Sequence, residues 1–97
     1  MPAAYVIAEV EIVNPEGYKA YTQQVGATVE KYGGRFLVRG GRSEVLEGDW
    51  PERRRVVIEF PDAAAAKRWW DSTEYAKPKE LRRANSNGRL ILIEGVA

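Results

Sequence analysis

The sequence of 97 residues is 44% hydrophobic and 30% charged, and its fifteen basic and fourteen acidic side chains give a net charge of +1. This length predicts a single domain, residues 1–97, and the balanced charge gives no electrostatic reason to expect a nucleic-acid or membrane partner. The absence of cysteine and histidine excludes disulfides, thiolate nucleophiles and histidine-ligated metals or haem, and no other metal site or cofactor is indicated.

The start of the chain reads as a strand and not as a targeting segment. Apolar residues alternate along Ala4–Ile12 and glutamates occupy part of the other face, which predicts a strand with one core face. A signal peptide would instead need a basic end followed by an apolar run, and no window is long enough for a membrane span. We therefore expect a cytoplasmic protein.

The next segment predicts a helix that is followed by a second strand. Asn14 and Pro15 are typical of a helix cap and a first helical residue, and Gly33-Gly34 ends the apolar periodicity that follows. Strand two is expected at Arg35–Arg39. The sequence SEVLE, which follows Gly40-Gly41, predicts a second extended piece, so that the glycine pair would mark a bulge or bend within one long strand.

The second half of the chain repeats the pattern. Arg54–Phe60 alternates as a third strand, and Asp62 then caps an alanine-rich helix that ends at Trp70. Since proline is unfavourable inside a helix, Pro78 is expected to begin a separate short helix. Gly88–Gly95 is the last strand.

The order strand, helix, strand, strand, helix, strand predicts a ferredoxin-like α+β sandwich with an antiparallel sheet. Strands one and three should be central neighbours, and strand two should lie beside strand three. Both helices would cover one face of the sheet. The other face would expose more apolar surface than a monomer comfortably leaves in water, so we expect a second copy to cover it in a homodimer. This surface comprises Tyr5, Ile7, Val57, Ile91 and Ile93.

Four segments of the sequence carry a family resemblance. They are Tyr32–Gly41, Glu47–Pro51, Glu59–Pro61 and Trp69–Ser72 with Glu74-Tyr75, and together they closely resemble domain-of-unknown-function family 1330. The resemblance implies a dimeric α/β barrel of ferredoxin-like subunits. It implies no particular reaction, because the wider group holds cofactor-free monooxygenases, haem-degrading enzymes, lactone isomerases and proteins without assigned chemistry. This chain has no histidine to match the ligand of the haem-degrading members.

Strand alternation predicts a charged cluster on the face away from the helices. Glu9, Arg39, Arg55 and Glu59 can all project from that face. Arg39 would then lie in the barrel interior, held by Glu59 or Glu9, with one guanidinium edge free for a carboxylate, enolate or phenolate. The alternative is a buried ion-pair network that sets strand register and binds nothing.

The aromatic residues have structural and functional interpretations. Trp50, in a loop, would either wall a pocket or pack as a hydrophobic plug at the dimer rim. Trp69 and Trp70 differ by about 100° around a helix, which predicts one core and one boundary tryptophan. Tyr18 follows helical periodicity as a core or boundary residue, although its hydroxyl could bind a ligand atom.

Two arginine clusters are expected to be structural. Arg53, Arg54 and Arg55 should alternate between opposite faces of a strand, and Arg82-Arg83 reads as a solvated helix face.

The sequence therefore predicts a homodimer that binds a small organic, anionic molecule between its sheets and helices. The expected ligand contacts come from Arg39, Arg55, Trp50, Trp69 and Tyr18. Were it an enzyme, which the sequence leaves open, Glu59 or Glu9 would be the general base for cofactor-free isomerisation or oxygenation. The alternative is a non-catalytic dimerisation or interaction domain with a filled barrel.

Overall fold

The computed structural model of the protein describes residues 2–97, which form four strands and three helices. In chain order these are β1 Ala4–Ile12, α1 Pro15–Lys31, β2 Arg35–Arg39, β3 Arg54–Phe60, α2 Ala63–Trp70, α3 Thr73–Asn85 and β4 Ser86–Glu94. The strands form one antiparallel sheet in the order β2-β3-β1-β4. This is the predicted ferredoxin-like α+β fold. Among residues 2–97, no helix combines the length and apolarity that crossing a membrane requires.

The two faces of the sheet differ in burial. Along β1, Ala4, Val6, Ala8 and Val10 are buried beneath the helices, whereas the alternate residues are only partly buried. The core also contains the fully buried side chains of Val29, Phe60, Trp69 and Tyr75. We call the surface away from the helices the open face. It carries apolar residues from all four strands, including Tyr5, Ile7, Val38, Val57, Ile91 and Ile93.

Helix α1 begins and ends at the predicted signals. Asn14 is the N-cap, with its side chain accepting from the backbone N–H of Gly17, and Pro15 is the first helical residue. At the other end the N–H of Gly34 donates to the carbonyl of Val29 at 2.9 Å, and Gly33 has φ +80°. This left-handed turn, which glycine adopts without strain, closes the helix and leads into β2.

The prediction that a helix begins at Pro78 is wrong. Helix α3 begins five residues earlier, where the hydroxyl of Ser72 accepts a 3.1 Å hydrogen bond from the N–H of Tyr75. The helix continues through Pro78, which forfeits one backbone hydrogen bond to the carbonyl of Glu74. The proline ring is buried, so packing and a well-capped first turn offset that loss.

Strand β2 is also shorter and less regular than expected. It ends at Arg39, and residues 40–53 form a loop instead of a continued strand. An irregularity lies within the strand: Phe36 pairs with Ile58, but Val38 pairs with Val57, which leaves Leu37 as an extra residue in a β-bulge. The last strand begins at Ser86, two residues before the predicted start.

Candidate functional site

The bulge in β2 determines where Arg39 lies. Because one extra residue shifts the alternation, Arg39 pairs with Val56 and projects toward the helices. Its Nη2 donates a 2.8 Å hydrogen bond to the carbonyl of Thr22 in α1, and its guanidinium carbon lies 4.3 Å from the ring centre of Phe36. The expectation that Arg39 shares the open face with Glu9 and Glu59 is therefore wrong.

Arg39 lines a small cavity between the helices and the sheet, which we call the interior pocket. Its volume is about 20 Å³, which is room for about one water molecule. The polar and aromatic side chains of its lining are Tyr18, Tyr21, Thr22, Phe36, Arg39, Arg54, Trp69 and Arg82. None of the described lining residues is acidic, so the three arginines of the lining, of which Arg39 is exposed to solvent, have no counter-charge in the pocket wall.

Arg82 is the most buried of these arginines, with 5% of its surface exposed. Its Nε donates to the hydroxyl of Tyr75 at 3.4 Å, and the hydroxyls of Tyr75 and Tyr21 lie 3.1 Å apart. Burial raises the pKa of Tyr21 well above its usual value, and the neighbouring Tyr75 raises it further. The Tyr21 hydroxyl therefore stays protonated at neutral pH and can act as a hydrogen-bond donor. The expectation of a solvated Arg82 is wrong.

Arg54 reaches the interior pocket from β3, where it stands opposite Val10 on the helix-covered side. Its Nε is buried and has no hydrogen-bond partner. Its guanidinium carbon lies 5.7 Å from the ring centre of Tyr18, and burial raises the pKa of Tyr18 despite this nearby positive charge. The ion pairs found among residues 2–97 include none with Arg39, Arg54 or Arg82.

Trp69 forms the rigid wall of the pocket. It is fully buried, its indole N–H donates to the hydroxyl of Thr28 at 3.0 Å, and its ring centre lies 4.1 Å from that of Tyr75. Trp70 is only half-buried, which confirms the predicted division into one core and one boundary tryptophan. Of the five predicted ligand contacts, Arg39, Tyr18 and Trp69 thus line the interior pocket.

The other two predicted contacts, Arg55 and Trp50, meet Glu9 on the open face. Glu9 accepts from the indole N–H of Trp50 at 2.9 Å, from Arg55 at 3.2 Å and from Arg89 at 2.7 Å. Hydrogen bonds from Trp50 and then Arg89 lower the pKa of Glu9 to about 2, with Arg55 adding to the effect. Arg55 also donates to the carbonyl of Pro51 at 2.6 Å, so the cluster fastens the β2–β3 loop to the sheet.

Glu59 occupies a separate position on the open face. It accepts from Arg35 at 2.7 Å and from the Tyr5 hydroxyl at 3.2 Å, and the Arg35 bond is the main reason its pKa is lowered. Since Glu59 pairs with Tyr5 while Glu9 lies four residues further along β1, about 13 Å of strand separates the two carboxylates. The two carboxylates therefore do not form a catalytic pair. Either of them could act as a general base only for a ligand bound on the open face.

Sequence reasoning missed the roles of Arg82, Arg54 and Tyr75. Tyr75 and Arg82 are seven residues apart, a spacing that places both on the same side of one helix, but the expected break at Pro78 hid the relationship. Strand alternation correctly placed Arg54 and Arg55 on opposite faces of the sheet. The same alternation puts Arg54 on the helix-covered face, and this consequence was not recognised.

Comparison with known proteins gives one family match. Residues 3–96 match the model of the domain of unknown function DUF1330. Among curated proteins, none matches this sequence.

Solved structures share the fold at low sequence identity. A protein of unknown function from Rhodopseudomonas palustris is 21% identical with a TM-score of 0.80, covering 99% of this chain and 84% of its own. SnoaB, a cofactor-independent oxygenase from Streptomyces nogalater, is 13% identical with a TM-score of 0.68, covering 100% and 96%. An antibiotic biosynthesis monooxygenase is 19% identical with a TM-score of 0.55, covering 97% and 99%.

Proposed function

The chain belongs to the DUF1330 family, a domain family of unknown function, and on that premise we propose that it binds a small organic anion in the interior pocket. Arg39, Arg54 and Arg82 supply the positive charge. The hydroxyls of Tyr18 and Tyr21 supply further hydrogen bonds, and Trp69 forms the wall. Arg39 remains a ligand contact in this proposal, as the sequence predicted, but it is held by the Thr22 carbonyl and the Phe36 ring instead of Glu59 or Glu9.

The observation that carries the proposal is the unpaired charge of Arg82. This guanidinium is 5% exposed and has no carboxylate partner. Its burial lowers the stability of the folded state, since charges taken out of water need compensation. Arg54 adds a second buried donor without a partner. Both arginines line the interior pocket, so an anion bound there would compensate the charge of both groups.

The chemistry of the pocket suits an oxygen-centred negative charge. A planar guanidinium binds carboxylates, enolates and phenolates through paired N–H donors. Stabilising an enolate or phenolate is also what cofactor-free isomerisation and oxygenation need, and the fold shared with SnoaB supports such chemistry by analogy. A carboxylate base is absent from the described lining. In a reaction, Tyr21 would stabilise the bound anion as a hydrogen-bond donor, since its raised pKa makes it a poor proton donor.

A homodimer formed through the open face is the second part of the proposal. Ile91 and Ile93 on β4 are 57% and 44% exposed there, and Val38 on β2, at the opposite edge of the sheet, is 40% exposed. Sheet-to-sheet packing of two copies would remove this surface from water. The same observation supports the alternative of a non-catalytic dimerisation domain, and ligand binding distinguishes the two. A cytoplasmic location remains a sequence-based proposal.

The deciding experiment measures thermal unfolding with acetate against equal concentrations of chloride. We expect carboxylates to raise the melting temperature of the wild type, because ligands that bind only the folded state stabilise it. Arg82→Met should abolish this shift. The matched control is Arg83→Met, which removes an exposed arginine one residue away and should retain it. An absence of any shift in the wild type, or an equal shift in Arg82→Met, would contradict the proposal.

A further inference from the structure

The interior pocket has a larger neighbour. An outer cleft of about 430 Å³ lies at the same end of the sheet, and its lining includes Gly40, Gly41, Ser43, Glu52, Arg53 and Arg54. Arg54 lines both spaces. Its side chain is therefore the wall that the outer cleft and the interior pocket share. The outer cleft opens to solvent.

Gly40 explains how Arg54 occupies this position. A Cβ at Gly40 would lie 2.2 Å from Nη1 of Arg54, so the guanidinium rests directly on the glycine backbone. Gly40 also has φ +73°, a conformation that side chains other than glycine rarely adopt. Nε of the same guanidinium is buried without a hydrogen-bond partner.

We infer that the outer cleft is a second subsite for the same ligand, an inference that rests on the proposed function. A carboxylate oxygen of an organic acid enters the interior pocket, and the remainder of the molecule lies in the outer cleft with Arg54 between the two parts. The sizes require this division, since about 20 Å³ has room for about one water-sized atom whereas the cleft offers about 430 Å³.

The composition of the cleft identifies the chemical class of the ligand. Apart from Arg54, its charged residues are Glu11, Glu52, Arg42 and Arg53, whose charges cancel. Its described lining contains no aromatic side chain, but it does contain the Ser43 hydroxyl and two glycine backbones. An uncharged tail that carries hydroxyl groups fits this surface, and a stacked aromatic ring system does not. The ligand class is therefore a hydroxylated carboxylic acid of the sugar-acid type.

The test compares acetate, which has only the head group, with gluconate, which adds a hydroxylated tail, by titration calorimetry. In the wild type, gluconate should bind at least tenfold more tightly than acetate. Gly40→Ala should weaken the binding of both acids and reduce this preference, because the new methyl group displaces the Arg54 guanidinium, which lines both spaces. The control is Gly48→Ala, since Gly48 has a similar φ of +86° with open space around it. This control carries the same backbone strain and should keep the preference.

A second variant guards against misfolding of Gly40→Ala. Gly41 lines the cleft and has nothing within 4 Å of an added Cβ, so Gly41→Leu should fill the cleft, weaken gluconate binding about tenfold and leave acetate unchanged.

The outcomes separate the two proposals. If neither acid binds the wild type, the anion site itself is wrong and this inference fails with it. If acetate binds in an Arg82-dependent manner but gluconate binds no more tightly, or if Gly41→Leu leaves gluconate binding unchanged, the second subsite is overturned while the proposed function stands.

Discussion

Arg82 donates from its Nε to the hydroxyl of Tyr75 at 3.4 Å, across two turns of helix α3. The same hydroxyl lies 3.1 Å from that of Tyr21, so Tyr75 keeps a hydrogen-bond partner when the arginine is removed. Removing the buried charge of Arg82 would therefore leave neither tyrosine hydroxyl without a hydrogen-bond partner. This relationship leads to a stability prediction that separates a ligand anchor from a structural arginine.

Arg82→Met should leave the free energy of unfolding unchanged or raise it by about 1–2 kcal/mol when no ligand is present, because methionine keeps much of the aliphatic stem and removes an unpaired charge. Urea denaturation at neutral pH measures this change. Arg83→Met, on the exposed side of the helix, should remain within about 0.5 kcal/mol of the wild type. A loss above about 2 kcal/mol in Arg82→Met would instead mean that the arginine is structural.

Thr28→Val should destabilise the protein by about 1–3 kcal/mol, because it leaves the buried indole N–H of Trp69 without an acceptor. Thr22→Val is the matched control. Both threonine hydroxyls donate to the carbonyl three residues earlier in α1, but that of Thr22 is exposed and has no tryptophan partner. Equal losses in the two variants, measured by urea unfolding, would rule out the Trp69 bond as the cause.

Acid should weaken the fold partly through Glu9. The pKa of this carboxyl is about 2 in the folded protein, against an ordinary value of 4.5. A lowered folded-state pKa contributes stability that is complete above about pH 4.5 and is lost as the pH falls toward 2. Glu74, which Lys31 holds at a similar pKa, contributes in the same range. Glu9→Gln should therefore remove only part of the loss of stability that occurs as the pH falls from about 4.5 toward 2.

The measurement for Glu9 is the melting temperature between pH 7 and pH 2. Glu30→Gln serves as the control, since Glu30 is exposed and makes none of the ion pairs found among residues 2–97. A profile for Glu9→Gln that parallels the wild type through the whole range would show that the contacts of this carboxylate add nothing to stability.

Ile93→Lys should convert the proposed homodimer to a monomer, because it places a charge in the centre of an apolar interface. Light scattering coupled to size-exclusion chromatography measures the mass. Val13→Lys changes an exposed apolar residue beyond the end of β1 and should leave the dimer intact. A wild type that is monomeric at all concentrations would refute the interface.

The sequence predicted the regular elements well and the irregular ones poorly. The alternation of β1 and β3 and the caps of α1 are local signals, and the structure follows them. The bulge at Leu37 has no such signal, because an apolar residue is compatible with either face of the sheet. Pro78 gave a misleading signal, because the intrinsic cost of proline is outweighed here by Ser72 capping and burial.

The candidate site was predictable only in part for the same reasons. Arg39, Tyr18 and Trp69 were predicted as ligand contacts and all line the interior pocket, but Arg39 was assigned to the wrong face. Arg82 was hidden because its burial depends on a helix that continues through Pro78. A single error in the predicted strand register or helix length is enough to assign a charged residue to solvent when it lies in the core, or the reverse.

The bulge at Leu37 also bears on how this protein should be compared with its relatives. In a homologue that lacks one residue in β2, an arginine at the aligned position would point to the open face and leave the interior pocket. Under the proposed function, loss or gain of one codon would thus remove or restore this anchor. Assigning a shared activity from the motif alone would then group proteins whose arginines serve opposite sides of the sheet.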